Sequence, residues 1–339
     1  MMLKQMVKRL IPLTVWNIFR EIYNIPQVIM ARHEQSRRFR KWMARERSHD
    51  KVRIETKLAF DIHRLEKGLS HVHFRYGFGI NVLREMSQRM MLLKQVDPNY
   101  KTNSLYKQGL SVLGDYRKRH ESAKYDLSEI ESLFLPDIWD NAKAPDIAHT
   151  AGSFIMSSSS KSDNLYRGFV ELAEGRCSVR EYSSSPVSQD LLDKVYEVAM
   201  KTPSVCNRQS IRIHQITDPA IVQSALDIQG GFRGYVAPPV LILVTSDIRA
   251  FMNENERNEP FVDGGLFSMS LLYALEAYGL AACPLNAMFS HSQDKHTRKL
   301  LGIPDNELPV MYIAVGNFLE SVPVCRSARR TVESIITRI

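Results

Sequence analysis

Cysteine is scarce in this chain. Four occur in 339 residues, Cys177, Cys206, Cys283 and Cys325, all in the C-terminal half, widely spaced and without a CxxC pair. This excludes a zinc ribbon and a secreted disulfide framework, and a reducing cytoplasm is the expected compartment. The four thiols read as small buried fillers rather than nucleophiles. Long apolar runs are missing too. Near the N-terminus the apolar positions are interrupted by Asn17, Arg20 and Glu21, too early for a signal peptide or a membrane span. The longest weakly charged stretch, 264–289, has Glu276 as its only charge but holds Gly279 and Pro284 and lacks basic flanks. A buried core helix followed by a turn is expected there. No GxGxxG, Walker loop or Ser-His-Asp elbow occurs, so a dinucleotide-type Rossmann domain, a P-loop and a serine hydrolase find no support.

What is present is ordinary for a globular protein, with 44% apolar and 24% charged residues. The net charge of +8 is unevenly spread. Residues 1–160 hold 27 Lys and Arg against 17 Asp and Glu; residues 161–339 hold 18 against 20. Any attraction to anionic lipid or polymer therefore belongs to the first half.

Apolar residues recur at helical spacing over 3–23, through Leu3, Met6, Val7, Leu10, Trp16, Phe19 and Tyr23. Residues 31–57 hold ten Lys and Arg and read as one exposed helix, a solvated face or a surface for anionic membrane. Aromatic interleaving is too sparse for nucleic acid. The stretch "DIHRLEKGLSHVHFRYGFG", 61–79, places His63 and Glu66 on one helix face and His71 and His73 on one strand face. Structural histidines outweigh a metal site, and "HRLEKGL" receives no role. Residues 81–133 return to helical spacing, and "FIMSSSSKSDN", 154–164, reads as a linker. The expected division is a basic, mainly helical accessory region, 1–160, and a second domain, 161–339.

In that second domain strands and helices alternate. Helices are expected over 164–174, from an N-cap at Ser188 to Met200, from Pro219, over 263–280 with Asp263 as cap, and over 291–302. Strands are expected over 211–217, 238–246 and 308–317. Some connections are too short for a parallel crossover, so the class is α+β with a mixed sheet flanked by helices.

Four polar signals sit at the junctions of these elements. In "EGRCSVREY" an extended chain would project Arg176, Ser178 and Arg180 to one side, forked donors suited to a phosphate monoester. Pro203, Ser204, Asn207 and Gln209 form a turn with two side-chain amides, able to read a heterocycle edge. In "GLAACPLNA" an apolar helix is expected to end in a sharp turn that frees backbone N–H groups. The fourth is "CRSARR", 325–330, a basic cluster after a buried strand.

Taken in order, "RCSVREY", "PSVCNRQ", "APPVLILV", "DGGLFSMSLLYALEAYGLAACPL" and "IAVGN" with the later Arg pair resemble the nitroreductase family of flavin-dependent oxidoreductases, over about residues 165–335. The resemblance implies FMN held at the interface of an obligate homodimer, with NADH or NADPH as donor. It implies that Arg176, Ser178 and Arg180 grip the phosphate and ribityl chain, that Pro203, Ser204, Asn207 and Gln209 contact ring and ribityl chain, and that Leu285, Asn286 and Ala287 offer backbone N–H groups to flavin N5. Arg330, with Arg326 or Arg329, would complete the phosphate clamp. Phe251, Met252 and Phe261 would line the pocket of an electron-poor small-molecule substrate: a nitro compound, a quinone or a dedicated metabolite. No catalytic acid or base is implied. Two departures stand out: Asn286-Ala287 replaces an acidic residue and glycine, and Ser210-Ile211-Arg212 stands where tryptophan often follows. The rival expectation is a peripheral membrane or assembly protein whose flavin domain is a scaffold or carrier. An oxidase or dehydrogenase of a biosynthetic intermediate is a third.

Overall fold

The computed structural model describes residues 12–45, 48–144 and 150–339. Two cores are built, one from each half of the sequence. The N-terminal core is helical. Helix α1 (Leu13–Trp42) precedes α2 (Lys51–Leu69), α3 (Ile80–Val96) and α4 (Ser104–Ser122), followed by the short α5 (Ser128–Glu131) and α6 (Pro136–Asn141). The helix expected over 3–23 is observed from Leu13 onward, and residues 3–11 lie outside the described residues. The single helix expected over 31–57 is broken: α1 stops at Trp42, and Asp50 caps α2 by accepting the Arg53 N–H at 3.0 Å. Asn103 caps α4 in the same way through the Leu105 and Tyr106 amides. Leu58, Leu65, Leu69, Leu83, Met86, Met90, Leu113 and Tyr116 are buried together between these helices.

The stretch 61–79 is part of this core. Leu65 and Leu69 point inward from α2, while Gly68 leaves room for the Phe78 ring, which a Cβ there would meet at 1.9 Å. The strand expected to carry His71 and His73 does not form; 70–79 is a run of turns. His71 instead stacks on Tyr235 of the other half, with ring centroids 3.9 Å apart.

The C-terminal half holds α7 (Phe169–Gly175), α8 (Gln189–Ala199), β2 (Ile211–Ile216), α9 (Pro219–Gln229), β3 (Val240–Asp247), α10 (Glu259–Ala277), β4 (Leu280–Asn286), α11 (His291–Leu301) and β5 (Glu307–Asn317). Strands β2–β3–β5–β4 form a four-stranded sheet, in that order. The α+β class holds; every pairing among the described residues is antiparallel. Helices α8 and α10 pack on one face through Leu192, Val195, Phe267 and Leu271, and α9 and α11 on the other through Val222, Leu226 and Leu300. With a helical layer on each face, β3 is buried along its whole length, its apolar run 240–244 followed by Thr245 and Ser246, which are hydrogen-bonded to Glu307 and Ser210. Each fully buried Leu, Ile or Val there contributes about 1.5–3 kcal/mol.

Three sequence expectations are corrected. The serine-rich segment at 154–164 is not a linker at its start: Ser153–Ser157 forms β1 and pairs antiparallel with β6 (Ser321–Cys325). Met156 alternates inward against Val179, Val322 and Val324, a pattern the serine content obscures. Helix α10 begins at Glu259, so Asp263 is not its cap. The segment after α10 is a strand, not a turn: 280–286 pairs with β5, and Pro284 is tolerated because β4 lies at the sheet edge. Ser188 occupies the N-cap position of α8 but makes no capping hydrogen bond. Among the described residues no helix is long and apolar enough to cross a membrane.

Candidate functional site

The run 176–182 lies along β4. The Val179 N–H donates to the Ala282 carbonyl at 3.0 Å, and Val179 is fully buried. Glu181 is buried as well, so Arg176, Ser178 and Arg180 take the half-buried positions, as the alternation suggests. Tyr182 locks the far end: its hydroxyl donates to the Val179 carbonyl at 2.7 Å. Its ring rests against Gly316, where a Cβ would come within 2.8 Å, which explains the glycine of "IAVGN".

Arg176 and Arg180 have no carboxylate within ion-pair distance among the described residues. Arg180 Nη1 donates only to a thiol, Cys325 Sγ, at 3.4 Å. Two other cations with little exposure are paired with carboxylates: Lys161 with Glu276 at 2.7 Å, and Arg89 with Asp61. Burial pushes the Cys283 thiol up, while Arg180, Lys67 and Arg176 pull it down, so three cations lie around one buried sulphur. Lys67 itself is held below its usual range by burial and by the charge of Arg180. His63 is lowered to about 4 by burial, Arg180 and Lys67, and is neutral at physiological pH. Burial raises the Glu66 carboxyl while the Gly152 and Ser327 N–H groups and the charge of Arg180 pull it down, so one buried carboxylate also lies within the electrostatic reach of this set, without an ion pair to it among the described residues. Cations in excess of carboxylates suit an anionic ligand.

Lys67 was not among the residues the sequence singles out for this site. It belongs to "HRLEKGL", whose partners are distant in sequence. Its Nζ donates to the Gly231 carbonyl at 2.7 Å and lies 5.9 Å from the Tyr235 ring centroid. A chain of contacts joins it to Arg180. The Tyr235 hydroxyl donates to the Lys67 carbonyl at 2.8 Å and lies 3.2 Å from Ser70 Oγ. Ser70 Oγ meets Cys325 Sγ at 3.5 Å, and that thiol contacts Arg180.

The C-terminal tail is placed differently from the expectation. Arg330 pairs with Glu55 of α2 at 3.1 Å. Arg326 lies over the Phe154 ring, 5.3 Å from its centroid, and Arg329 donates to the Ser327 carbonyl. Neither Arg329 nor Arg330 has a hydrogen bond or ion pair with Arg176 or Arg180 among the described residues. The reason is Glu66: buried in α2, it accepts the N–H groups of Gly152 at 3.0 Å and Ser327 at 3.3 Å and fixes where the tail leaves β6.

The loop 203–209 forms a second cluster. Cys206, Asn207 and Gln209 all have positive φ, at 48°, 53° and 50°, a costly conformation for non-glycine residues. Asp263 holds it from α10, accepting the Val205 N–H at 3.0 Å, and Ser204 Oγ accepts the Gln209 N–H at 3.0 Å. Arg208 pairs with Glu256 at 2.9 Å and lies over the Phe251 ring. Pro203, Ser204 and Gln209 line a small cleft with Met200, Asp263 and Phe267. Met252 and Phe261 are exposed nearby on the same segment as Phe251. Within one chain, no hydrogen bond or ion pair among the described residues joins this cluster to the cations around Cys283.

The third expected contact, Leu285–Ala287, lies at the end of β4. Leu285 is buried opposite Tyr312, the Asn286 carbonyl accepts from Gln229 Nε2 at 3.2 Å, and Asn286 Oδ1 accepts the Met288 N–H at 3.3 Å. Among the described residues no group of three or more His, Cys, Asp or Glu side chains is placed to share a metal ion. The cationic set around Cys283 fits the phosphate of a nucleotide cofactor, and the amide-bearing loop fits the edge of a ring.

An α+β domain with helices on both faces of an antiparallel sheet and two half-buried arginines against its edge strand defines the class. Comparison with known proteins names it: the sequence profile of the Nitroreductase family matches residues 173–231 and 234–317. The match lies wholly within the C-terminal half of the chain. An FMN reductase [NAD(P)H] of Bacillus subtilis is 24% identical over 168 residues, which cover 45% of this chain and 65% of that protein. The chain thus spans less than two thirds of the length of that relative. A NADH dehydrogenase of Thermus thermophilus is 24% identical over 172 residues, covering 42% of this chain and 82% of that one. Among solved structures, an FMN-dependent nitroreductase of Clostridium difficile aligns with 19% identity and a TM-score of 0.39, over 44% of this chain and 87% of that one.

Proposed function

We propose that the protein is an FMN-dependent oxidoreductase that passes hydride from NADH or NADPH to an electron-poor small molecule. The observation that carries the reading is the pair Arg176 and Arg180, half-buried along β4 with no carboxylate within ion-pair distance among the described residues, inside the stretch that matches the nitroreductase family. The two curated relatives are named as an FMN reductase and a NADH dehydrogenase, which supports flavin and nicotinamide chemistry here.

In this reading Arg176 and Arg180 hold the phosphate, with Ser178 between them as a hydroxyl donor. The hydrogen bond of Val179 to Ala282 keeps the three side chains aimed the same way. Asn207 and Gln209 present amides to the ring from a strained loop that Asp263 anchors, so their orientation is set before the ligand arrives. The backbone at Leu285–Ala287 offers donors at the ring's reactive edge. FMN, when bound, supplies the hydride acceptor and donor, and no protein acid or base is assigned. Because the loop cluster and the cation cluster lie apart in one chain, a homodimer that brings the loop of one copy to the cations of the other is the assembly this reading favours. Phe251, Met252 and Phe261, beside that loop, are placed to cover the substrate.

The test is direct. Purified protein is expected to be yellow or to take up added FMN, and NADH or NADPH is expected to bleach it anaerobically. A colourless protein that takes up no FMN would overturn the reading.

A specific observation favours a second role for α1. Ile29, Met30, Phe39 and Trp42 are exposed beside Arg32, Arg37, Arg38, Arg40 and Lys41. That combination suits the surface of an anionic membrane. Flotation with anionic vesicles is expected to carry the protein and to fail for the Phe39→Ser, Trp42→Ser double variant; equal flotation would remove this role.

A further inference from the structure

We propose that the N-terminal helical region is part of the cofactor site itself: Lys67 of α2, with Arg180, holds an anionic oxygen of the bound flavin nucleotide, in the place left by the C-terminal tail. This inference rests on the flavin reading above.

Within one chain the tail arginines have other contacts: Arg330 pairs with Glu55, Arg326 lies over the Phe154 ring and Arg329 donates to the Ser327 carbonyl. Contacts through Tyr235, Ser70 and Cys325 link Lys67 to Arg180, and the one hydrogen-bond acceptor of its ammonium among the described residues is the neutral Gly231 carbonyl. An ammonium has three donors, so two directions are left for a ligand. A half-buried lysine beside a half-buried arginine is unfavourable on its own and becomes favourable once an anion lies between them.

The rest of "HRLEKGL" holds that lysine in position. Leu65 and Leu69 anchor α2 in the N-terminal core, Glu66 fastens the helix to β1 and the tail, and Gly68 admits Phe78. Arg119 donates to the Leu69 carbonyl at 2.6 Å and closes the helix end, and Ser70 then reaches the Tyr235 and Cys325 contacts. The motif thus has one residue facing the cation set and the others building its mount. This gives the N-terminal region a purpose that a separate accessory domain would not need.

The anionic oxygen has two sources, the phosphate ester and the reduced ring, and one set of measurements separates them. Full-length wild type, Lys67→Met, Lys67→Gln and Lys67→Arg are titrated with FMN and with riboflavin, and the flavin midpoint potential is measured for each. If Lys67 holds the phosphate, Lys67→Met and Lys67→Gln bind FMN at least tenfold more weakly, riboflavin affinity is unchanged, and Lys67→Arg restores most of the loss. If it faces the ring, oxidised FMN binds almost as before and the midpoint potential moves to more negative values. Unchanged FMN affinity and potential in a folded Lys67→Gln protein would overturn the proposal. So would an equal loss of FMN and riboflavin with no change in potential, which would mark a packing role. A wild type that binds no flavin would overturn both this inference and the functional reading, whereas a flavin-binding wild type with indifferent variants overturns this inference alone.

Discussion

Arg176 and Arg180 are half-buried and have no carboxylate within ion-pair distance among the described residues. Removing one should therefore cost little in the free protein and much in the complex. Arg176→Ala is expected to weaken FMN binding ten- to a hundredfold, about the loss of one charge-assisted contact. Arg330→Ala is expected to change FMN affinity by less than about threefold, since its partner is Glu55 in a half-exposed pair worth roughly 1 kcal/mol or less. Fluorescence titration of both variants checks this, and the reverse order would restore the tail to the phosphate. His63 gives a pH signature. Its folded value is about 4, against 6.5 in the unfolded chain. Between these values the unfolded chain binds a proton that the folded chain refuses, so stability is full above pH 6.5, falls with acidification, and reaches its floor below about 4. The loss is expected to be about 2 kcal/mol after allowance for partial exposure. Denaturant unfolding of flavin-free protein from pH 7 to 4 is expected to flatten by that amount in His63→Gln; an identical slope in both proteins would contradict the assignment.

At the level of elements, helix and strand types in the C-terminal half were largely legible because buried strands there are unbroken apolar runs and the helices keep a 3.6-residue period. Two failures have the same origin. Asp263 carries a cap's chemistry, but α10 extends past it, because Glu259-Pro260 starts the helix and the carboxylate is claimed by Val205 across the fold. Gly279 and Pro284 read as a turn, but an edge strand needs fewer of its N–H groups, so the proline is accommodated. The alternation of Arg176, Ser178 and Arg180 was legible, since period two is local. The commitment of Arg330 and the arrival of Lys67 were not, since each is decided by a partner more than a hundred residues away. The Asp263 contact makes a prediction at this scale. Asp263→Ala leaves the Val205 amide unpaired under a loop with three positive-φ residues, and about 1–3 kcal/mol of stability should be lost. Thermal unfolding checks the loss, with faster hydrogen exchange at the Val205 amide as its local sign; an unchanged melt and amide would mean the loop holds itself.

At the scale of the whole molecule the two halves are joined by contacts across the expected boundary. Strand β1 lies on the N-terminal side of the expected boundary yet pairs with β6, Glu66 fastens β1 and the tail to α2, and His71 stacks on Tyr235. A chain beginning at residue 161 would uncover Val322 and Val324 and lose Lys67 and Glu66 together. It is expected to melt at lower temperature than the full chain and to bind FMN weakly; full stability and affinity in that fragment would show the N-terminal region to be dispensable.

The measurement that tests the central claim most directly is calorimetric titration of the full-length protein with FMN and with riboflavin at two salt concentrations. FMN is expected to bind at least tenfold more tightly than riboflavin, with the difference shrinking as salt rises, as the proposed hold of Arg176, Arg180 and Lys67 on the phosphate requires. Equal affinity for the two flavins, or binding of neither, would contradict it.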